Sequence, residues 1–270
     1  MKPVPSISKK LRVCAVSFLN TVPLVWGMLH GAQRGMFELD FCVPSECADR
    51  LAAGLADIGI VPSVELPRLG LEVIPGAGIA SEGPVRSILL VTKVAPAQVR
   101  RLAADSNSRT SVMLSRILLS RQYGARPEIV SMAPDFPSMI EDADAALLIG
   151  DSALRLQLEN LPFEVIDLGA EWTAMTGLPM VFAVWAGRKG CAGEEVTRAF
   201  MDSCRFGLSA IDEIARTSAE SHGVSEALAR QYLTENIRLE LNEREYEGLR
   251  RYLQYAAEFA IVAPTGIVSA

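Results

Sequence analysis

"LRVCAVSFLNTVPLVWGMLHGAQRGMFELDFCVPSECADRLAAGLADIGIVP", residues 11–62, decides the fold. Its first nine residues are rich in apolar and β-branched types, broken by Arg12 and Ser17 and without alternation, the pattern of a strand covered on both faces. VPLVWGMLHG then reads as a helix, with Thr21 as N-cap, Pro23 in the first turn and Gly31 as the stop. FELDFCV alternates like a strand. PSECADRLAAG reads as a second helix, with Ser45 as N-cap and Gly54 just past its end. Ile58 to Val61 form a short buried strand closed by Pro62. Strand, helix, strand, helix, strand is the order of a parallel sheet with right-handed crossovers. Open α/β sheets hold ligands beyond the carboxyl ends of their strands. Ser17, Asn20 and Thr21 stand at such an end, directly after a strand that has no other use for polar residues.

The rest of the chain repeats the theme and then changes. APAQVRRLAAD reads as a short helix, and SNSRTSVMLSRILLSRQYG as a polar loop entering a longer one. VRSILLVTK and PMVFAVWAG are strong strands, each placed to run between two α/β units. This predicts two lobes: residues 1–92 with 184–270, and residues 93–183, with a cleft between them. From Glu194 onward three helical stretches follow, without a linker that would mark a separate domain, so they are expected to pack on the first lobe.

Composition excludes several functions. The net charge of −6 over 270 residues, with no basic run, disfavours nucleic acid as a partner. No 18-residue apolar run exists, so no membrane span is expected. The amino-terminal residues lack the pattern of a secretory signal, and the five cysteines form no CxxC pair, so a reducing cytoplasm is the expected setting. Cys14, Cys42, Cys47, Cys191 and Cys204 read as buried structural thiols, with no zinc or disulfide framework. GxSxG, P-loop, GxGxxG and HExxH motifs are missing, and His30 and His222 read as structural or solvated. Metal, nucleotide and covalent-nucleophile sites are therefore not expected.

Four polar clusters fall at strand–helix junctions. They are Ser17 with Asn20 and Thr21; Ser81 with Arg86 and Ser87; Ser108, Arg109, Thr110 and Ser111; and Gly150 with Asp151. The third precedes a helix, where free amides and the positive end of the helix dipole favour an anion. Arg109 adds a fork suited to a carboxylate. Each cluster has a plainer reading as a cap, a turn or a surface ion pair. Together they suit a small ligand bearing carboxylates and hydroxyls.

The stretches VSFLNTVPL, VPSECADRLAAGLADIGIVPSVEL, SEGPVRSILLVTK, DSNSRTSVMLSRILL, DAALLIGDSALR and DLGAEWTAMTGLPMVFAVWA, spanning roughly residues 12–188, resemble the chorismate dehydratases of the futalosine route to menaquinone, the MqnA type. The resemblance implies an α/β, two-lobed periplasmic-binding-protein type II fold used as a hydro-lyase. It implies conversion of chorismate to 3-[(1-carboxyvinyl)oxy]benzoate and water, with no cofactor. The family pattern more often has Tyr than Phe where Phe18 stands. The alternatives are a non-enzymatic solute-binding protein of the same fold and the sister 1,4-dihydroxy-6-naphthoate synthase, whose opening motif is expected to differ. On this reading Asn20 and Asp151 are the catalytic candidates. Ser17, Thr21, Ser81, Arg86, Ser87, Ser108, Arg109, Thr110, Ser111 and Gly150 bind substrate. The protein is expected to act as a monomer or homodimer, with neither nucleic acid nor membrane as partner. The proton acceptor is Asp151 or the substrate's own enolpyruvyl carboxylate.

Overall fold

A computed structural model describes residues 10–262. The first strand, β1 (Arg12–Val16), is buried along almost its whole length, as its unbroken apolar run requires. A tight turn at Leu19–Thr21 leads into α1 (Val22–His30). Thr21 does not cap α1: its hydroxyl donates to Asn20 Oδ1, 3.3 Å away, because the turn already continues into the helix. Strand β2 (Glu38–Cys42) is an edge strand, parallel to β1, which accounts for its exposed residues. Helix α2 (Pro44–Ala52) begins at Pro44, one residue before the expected cap Ser45. Then come β3 (Ile58–Pro62), α3 (Glu65–Leu69) and β4 (Glu72–Ser81).

The chain next passes to a second sheet through β5 (Ile88–Thr92), β6 (Arg101–Asp105), α4 (Thr110–Tyr123) and β7 (Glu128–Met132). It continues through α5 (Phe136–Asp142), β8 (Ala145–Ile149), α6 (Gly150–Leu154), β9 (Glu164–Asp167) and α7 (Leu168–Thr176). It returns through β10 (Met180–Gly187), α8 (Glu194–Ser209), α9 (Ile211–Ser218), α10 (Glu226–Gln231), β11 (Arg238–Glu240) and α11 (Glu243–Val262). The first sheet runs β11-β4-β10-β3-β1-β2 and the second β7-β6-β8-β5-β9. β1 lies parallel to both its neighbours, as the opening stretch predicts.

Three expectations are corrected. Residues 101–105, read as part of a helix, are β6, because pairing with β7 and β8 outweighs a weak helical pattern. VRSILLVTK and PMVFAVWAG do not run between the sheets. β5 lies wholly in the second sheet between β8 and β9, and β10 wholly in the first between β3 and β4. The chain crosses at residues 82–87 and 177–179, and a continuous apolar run cannot say which sheet will bury it. The expected boundary at 92/93 thus groups β5 with the wrong sheet, and that at 183/184 cuts β10.

The carboxyl-terminal helices do more than cover the first sheet. α8 packs on α1 closely enough that Ser203 Oγ donates to Leu24 O and accepts from Met28 N. α11 spans both halves: Tyr252 donates to the Thr110 carbonyl at 3.0 Å, and Arg121 of α4 lies over the Tyr255 ring at 3.9 Å. Buried Trp172 meets Tyr252 and Tyr255 edge-on. Where α8 passes α1, a Cβ on Gly207 would fall 2.0 Å from Pro23 O. Gly207→Ala is therefore expected to cost ~1–3 kcal/mol, read as a lower urea midpoint. An unchanged midpoint would mean that the two helices have slack at their crossing.

Candidate active site between the two sheets

A cleft partly open to solvent lies between the carboxyl end of β1 and the start of α4. Its floor is apolar: Val16, Ile60, Ile79 and Phe182 come from four neighbouring strands of the first sheet. Polar groups ring this floor. Asn20, Ser87, Ser108, Arg109, Thr110, Ser111 and Gly150 all line the cleft, so residues from each of the four expected clusters meet in one place.

Asn20 and Ser87 belong to one hydrogen-bonded chain. Asn20 Nδ2 donates to the Tyr232 hydroxyl at 3.0 Å, and that hydroxyl donates to Ser87 Oγ at 2.8 Å. Ser87 already accepts, so its own proton is free for a ligand in the cleft. Tyr232 is fully buried, and burial holds its phenol well above the ordinary pKa, so it stays a neutral donor. Sequence reasoning missed it. Its segment reads as a plain helix, whereas α10 ends at Gln231 and the chain widens into a π-turn over Tyr232–Asn236. Such turns are frequent at functional sites, but nothing in the local pattern announces one.

Ser87 is aimed by its neighbour. Arg86 has φ 63, the left-handed region that non-glycine residues rarely adopt. The Val85 and Arg86 amides donate to Asp167 at 3.0 and 2.6 Å, and the Arg86 guanidinium donates to the carbonyls of Ala153, Leu154 and Leu156. Arg86 therefore lies outside the cleft lining and holds the crossing loop to the end of α6. This many bonds can maintain a conformation costing ~1–3 kcal/mol.

The start of α4 forms the opposite wall. Asp105, almost fully buried at the end of β6, accepts from the Asn107 amide at 2.9 Å and shapes the turn before the helix. Burial pushes its carboxyl above the usual range. Arg109 lies at the rim rather than free in the cleft. Its Nη2 is 2.9 Å from both oxygens of Asp49 on α2, and its Nη1 is 3.5 Å from Glu65 on α3. Its charge thus links the second half of the molecule to the first. Ser108, Thr110 and Ser111 line the same wall at the start of α4, where helix-start amides favour negative charge.

The remaining expected residues stand behind the lining. Ser17 Oγ donates to the Cys42 carbonyl at 3.3 Å, Thr21 is fully buried beside Asn20, and Ser81 Oγ donates to Gly83 O at 3.3 Å. Asp151, 8% exposed, has both oxygens occupied: Oδ1 accepts from the Leu19 amide at 3.1 Å, and Oδ2 lies 2.7 Å from His222 Nδ1. His222, read as a bystander, is its half-buried partner. Gly150 has φ 56, and a Cβ there would meet the Phe18 ring at 2.6 Å, so only glycine fits under Phe18.

Residues 11–258 match the sequence profile of a family described as menaquinone biosynthesis. The chain belongs to that family. A relative named chorismate dehydratase, from Thermus thermophilus, is 31% identical, the match covering 88% of this chain and 92% of the relative. Among solved structures, a protein from Archaeoglobus fulgidus superposes with a TM-score of 0.76 at 19% identity, covering 95% of this chain and all of that one. The periplasmic aliphatic sulphonate binding protein of Escherichia coli superposes at 0.65 with 14% identity, covering 96% of each. This menaquinone-biosynthesis family member therefore has the periplasmic-binding-protein fold, with its cleft where that fold brings two sheets together. Among the described residues no helix is long and apolar enough to cross a membrane.

Proposed function

We propose that this protein is a chorismate dehydratase, forming 3-[(1-carboxyvinyl)oxy]benzoate and water without a cofactor. The observation that carries the reading is the cleft itself. An apolar floor of Val16, Ile60, Ile79 and Phe182 lies between the hydroxyl–amide chain of Asn20, Tyr232 and Ser87 and the helix start at Ser108–Ser111. The name of the Thermus relative points the same way.

The ring carbon bearing the enolpyruvyl ether carries the hydrogen to be lost. Removing it sends charge into the ring carboxylate, and the neighbouring C–O bond then breaks to complete the aromatic ring. The α4 helix start receives one carboxylate and stabilises its growing charge, a role worth ~3–4 kcal/mol per well-placed donor. Ser87 and Asn20 orient the departing hydroxyl and the side chain. Among the described residues lining the cleft there is no carboxylate and no imidazole. This supports the substrate's enolpyruvyl carboxylate as proton acceptor, with the proton leaving in the water formed. The protein's share is then conformation and fixed donors. The Asp151–His222 pair and Arg109 are assigned to holding the two halves in register around the substrate.

Incubating purified protein with chorismate tests the reading: ultraviolet spectra should show an aromatic product, and chorismate left intact would overturn it. Asp151→Asn separates the two proton acceptors. It keeps an acceptor for the Leu19 amide but loses the charge facing His222, so stability should fall by ~1.5–3 kcal/mol. Turnover should fall by less than the ~10²-fold that a positioned base commands. A larger loss of kcat in a folded variant would make Asp151 the acceptor.

A further inference from the structure

Three cysteines that the sequence keeps apart meet beside the cleft. β1 and β2 run parallel with Cys14 opposite Asp40 and Val16 opposite Cys42, which makes Cys14 and Cys42 diagonal neighbours on one face. Cys47 comes to the same face from α2, which packs on β1 and β3. The Cys14 and Cys42 sulfurs are 3.0 Å apart, and all three Sγ atoms lie within 4.8 Å of one another. Each residue is buried. Gly59 on β3 leaves the space: a Cβ there would stand 2.6 Å from Cys47 Sγ.

We propose that Cys14, Cys42 and Cys47 form a binding site for one thiophilic metal ion, with monovalent copper the best-suited occupant. Thiolates are soft ligands that select soft ions. Among the described residues no histidine or carboxylate joins the three sulfurs. Zinc asks for four ligands, whereas a monovalent soft ion is satisfied by three. Three sulfurs at ~2.3 Å from one ion stand ~4 Å from each other, so the trio needs to rearrange by only about an ångström. A groove between β1, β2 and α2 reaches Cys14 from solvent past Leu55 and Arg50, and supplies an access path. Arg50 at its edge is paired with Asp40 and Glu46. Binding releases the thiol protons to solvent and requires no redox step.

The cage shares its elements with the cleft. The Cys42 carbonyl accepts from the Ser17 amide and hydroxyl, and Asp49, two residues past Cys47, holds Arg109. The site stands or falls independently of the dehydratase reading. Its test is an anaerobic titration of the reduced full-length chain with Cu⁺ supplied as its bicinchoninate complex, followed by copper X-ray absorption. One Cu⁺ per chain should leave the chelator, with three sulfur neighbours and no nitrogen. Cys47→Ala should weaken retention beyond the ~10–100-fold that even outer partners of metal sites command, while Cys204→Ala should change nothing. Circular dichroism checks each variant, and Cys42→Ser replaces Cys47→Ala should that variant fail to fold. No transfer from the chelator would overturn the proposal. So would equal retention by the variant, fewer than three sulfurs, or a Cys14–Cys42 disulfide that leaves no copper uptake after reduction.

Discussion

Asn20→Ala should lower kcat by ~10²–10³-fold, the usual effect of deleting one preorganised donor at a site of developing charge. Asn20 suits that role because two neighbours fix its amide: Tyr232 takes one N–H and Thr21 donates to its oxygen. Asn20 is one of the residues lining the cleft, and its amide keeps a second N–H and a lone pair beyond those two bonds. No conformational freedom is left to be lost when substrate binds. The variant leaves Tyr232 without one partner in a buried setting, a cost of ~1–3 kcal/mol, so thermal unfolding must accompany the kinetics. Initial rates over a range of chorismate concentrations separate the possibilities. A fall in kcat at constant KM places Asn20 in the transition state, and a rise in KM alone makes it a uniform binder. Asn20→Asp sharpens the test. It keeps the shape but sets an acceptor against a doubly anionic substrate, and should be at least as impaired as Asn20→Ala. Activity near that of the parent in either variant would remove Asn20 from the chemistry.

Legibility in the sequence followed the range of the interactions involved. The alternation of strand and helix over residues 11–62 rests on local burial and turn residues, and β1, α1, β2, α2 and β3 stand as expected. The four polar clusters were visible because polar residues at a strand's carboxyl end have no packing reason to be there. What lay beyond reach was pairing between distant segments. β5 and β10 are both apolar throughout, and only their partners reveal which sheet owns them. Arg109 read as a free carboxylate binder because Asp49 is 60 residues away. Tyr232 went unmarked within a helical stretch because its contacts with Asn20 and Ser87 span 212 and 145 residues. His222 and Asp151 stayed apart for the same reason. The resemblance to chorismate dehydratases conveyed the reaction, but could not name residues outside its motifs.

Ser87→Ala and Tyr232→Phe should each depress kcat, and their combination should cost less than the product of the two. Ser87 offers its proton to the cleft only because the Tyr232 hydroxyl, 2.8 Å away, occupies one of its lone pairs. Removing the serine hydroxyl deletes the donor itself, and ~10²-fold is expected. Removing the phenol leaves the donor in place but unaimed, so about tenfold is expected, as for a positioning group that never touches substrate. In the double variant the phenol has no serine left to aim. Only its hold on Asn20 remains to be lost, and a coupling of ~0.5–3 kcal/mol should appear in the cycle. Burial guards against a trivial result. The phenylalanine ring fills the same cavity, and any stability change reflects the two orphaned partners rather than lost packing. Losses that simply multiply would mean that the phenol and the serine act separately. Tyr232 would then be a core residue whose hydroxyl happens to be satisfied, and the chain from α10 to the cleft would have no part in the reaction.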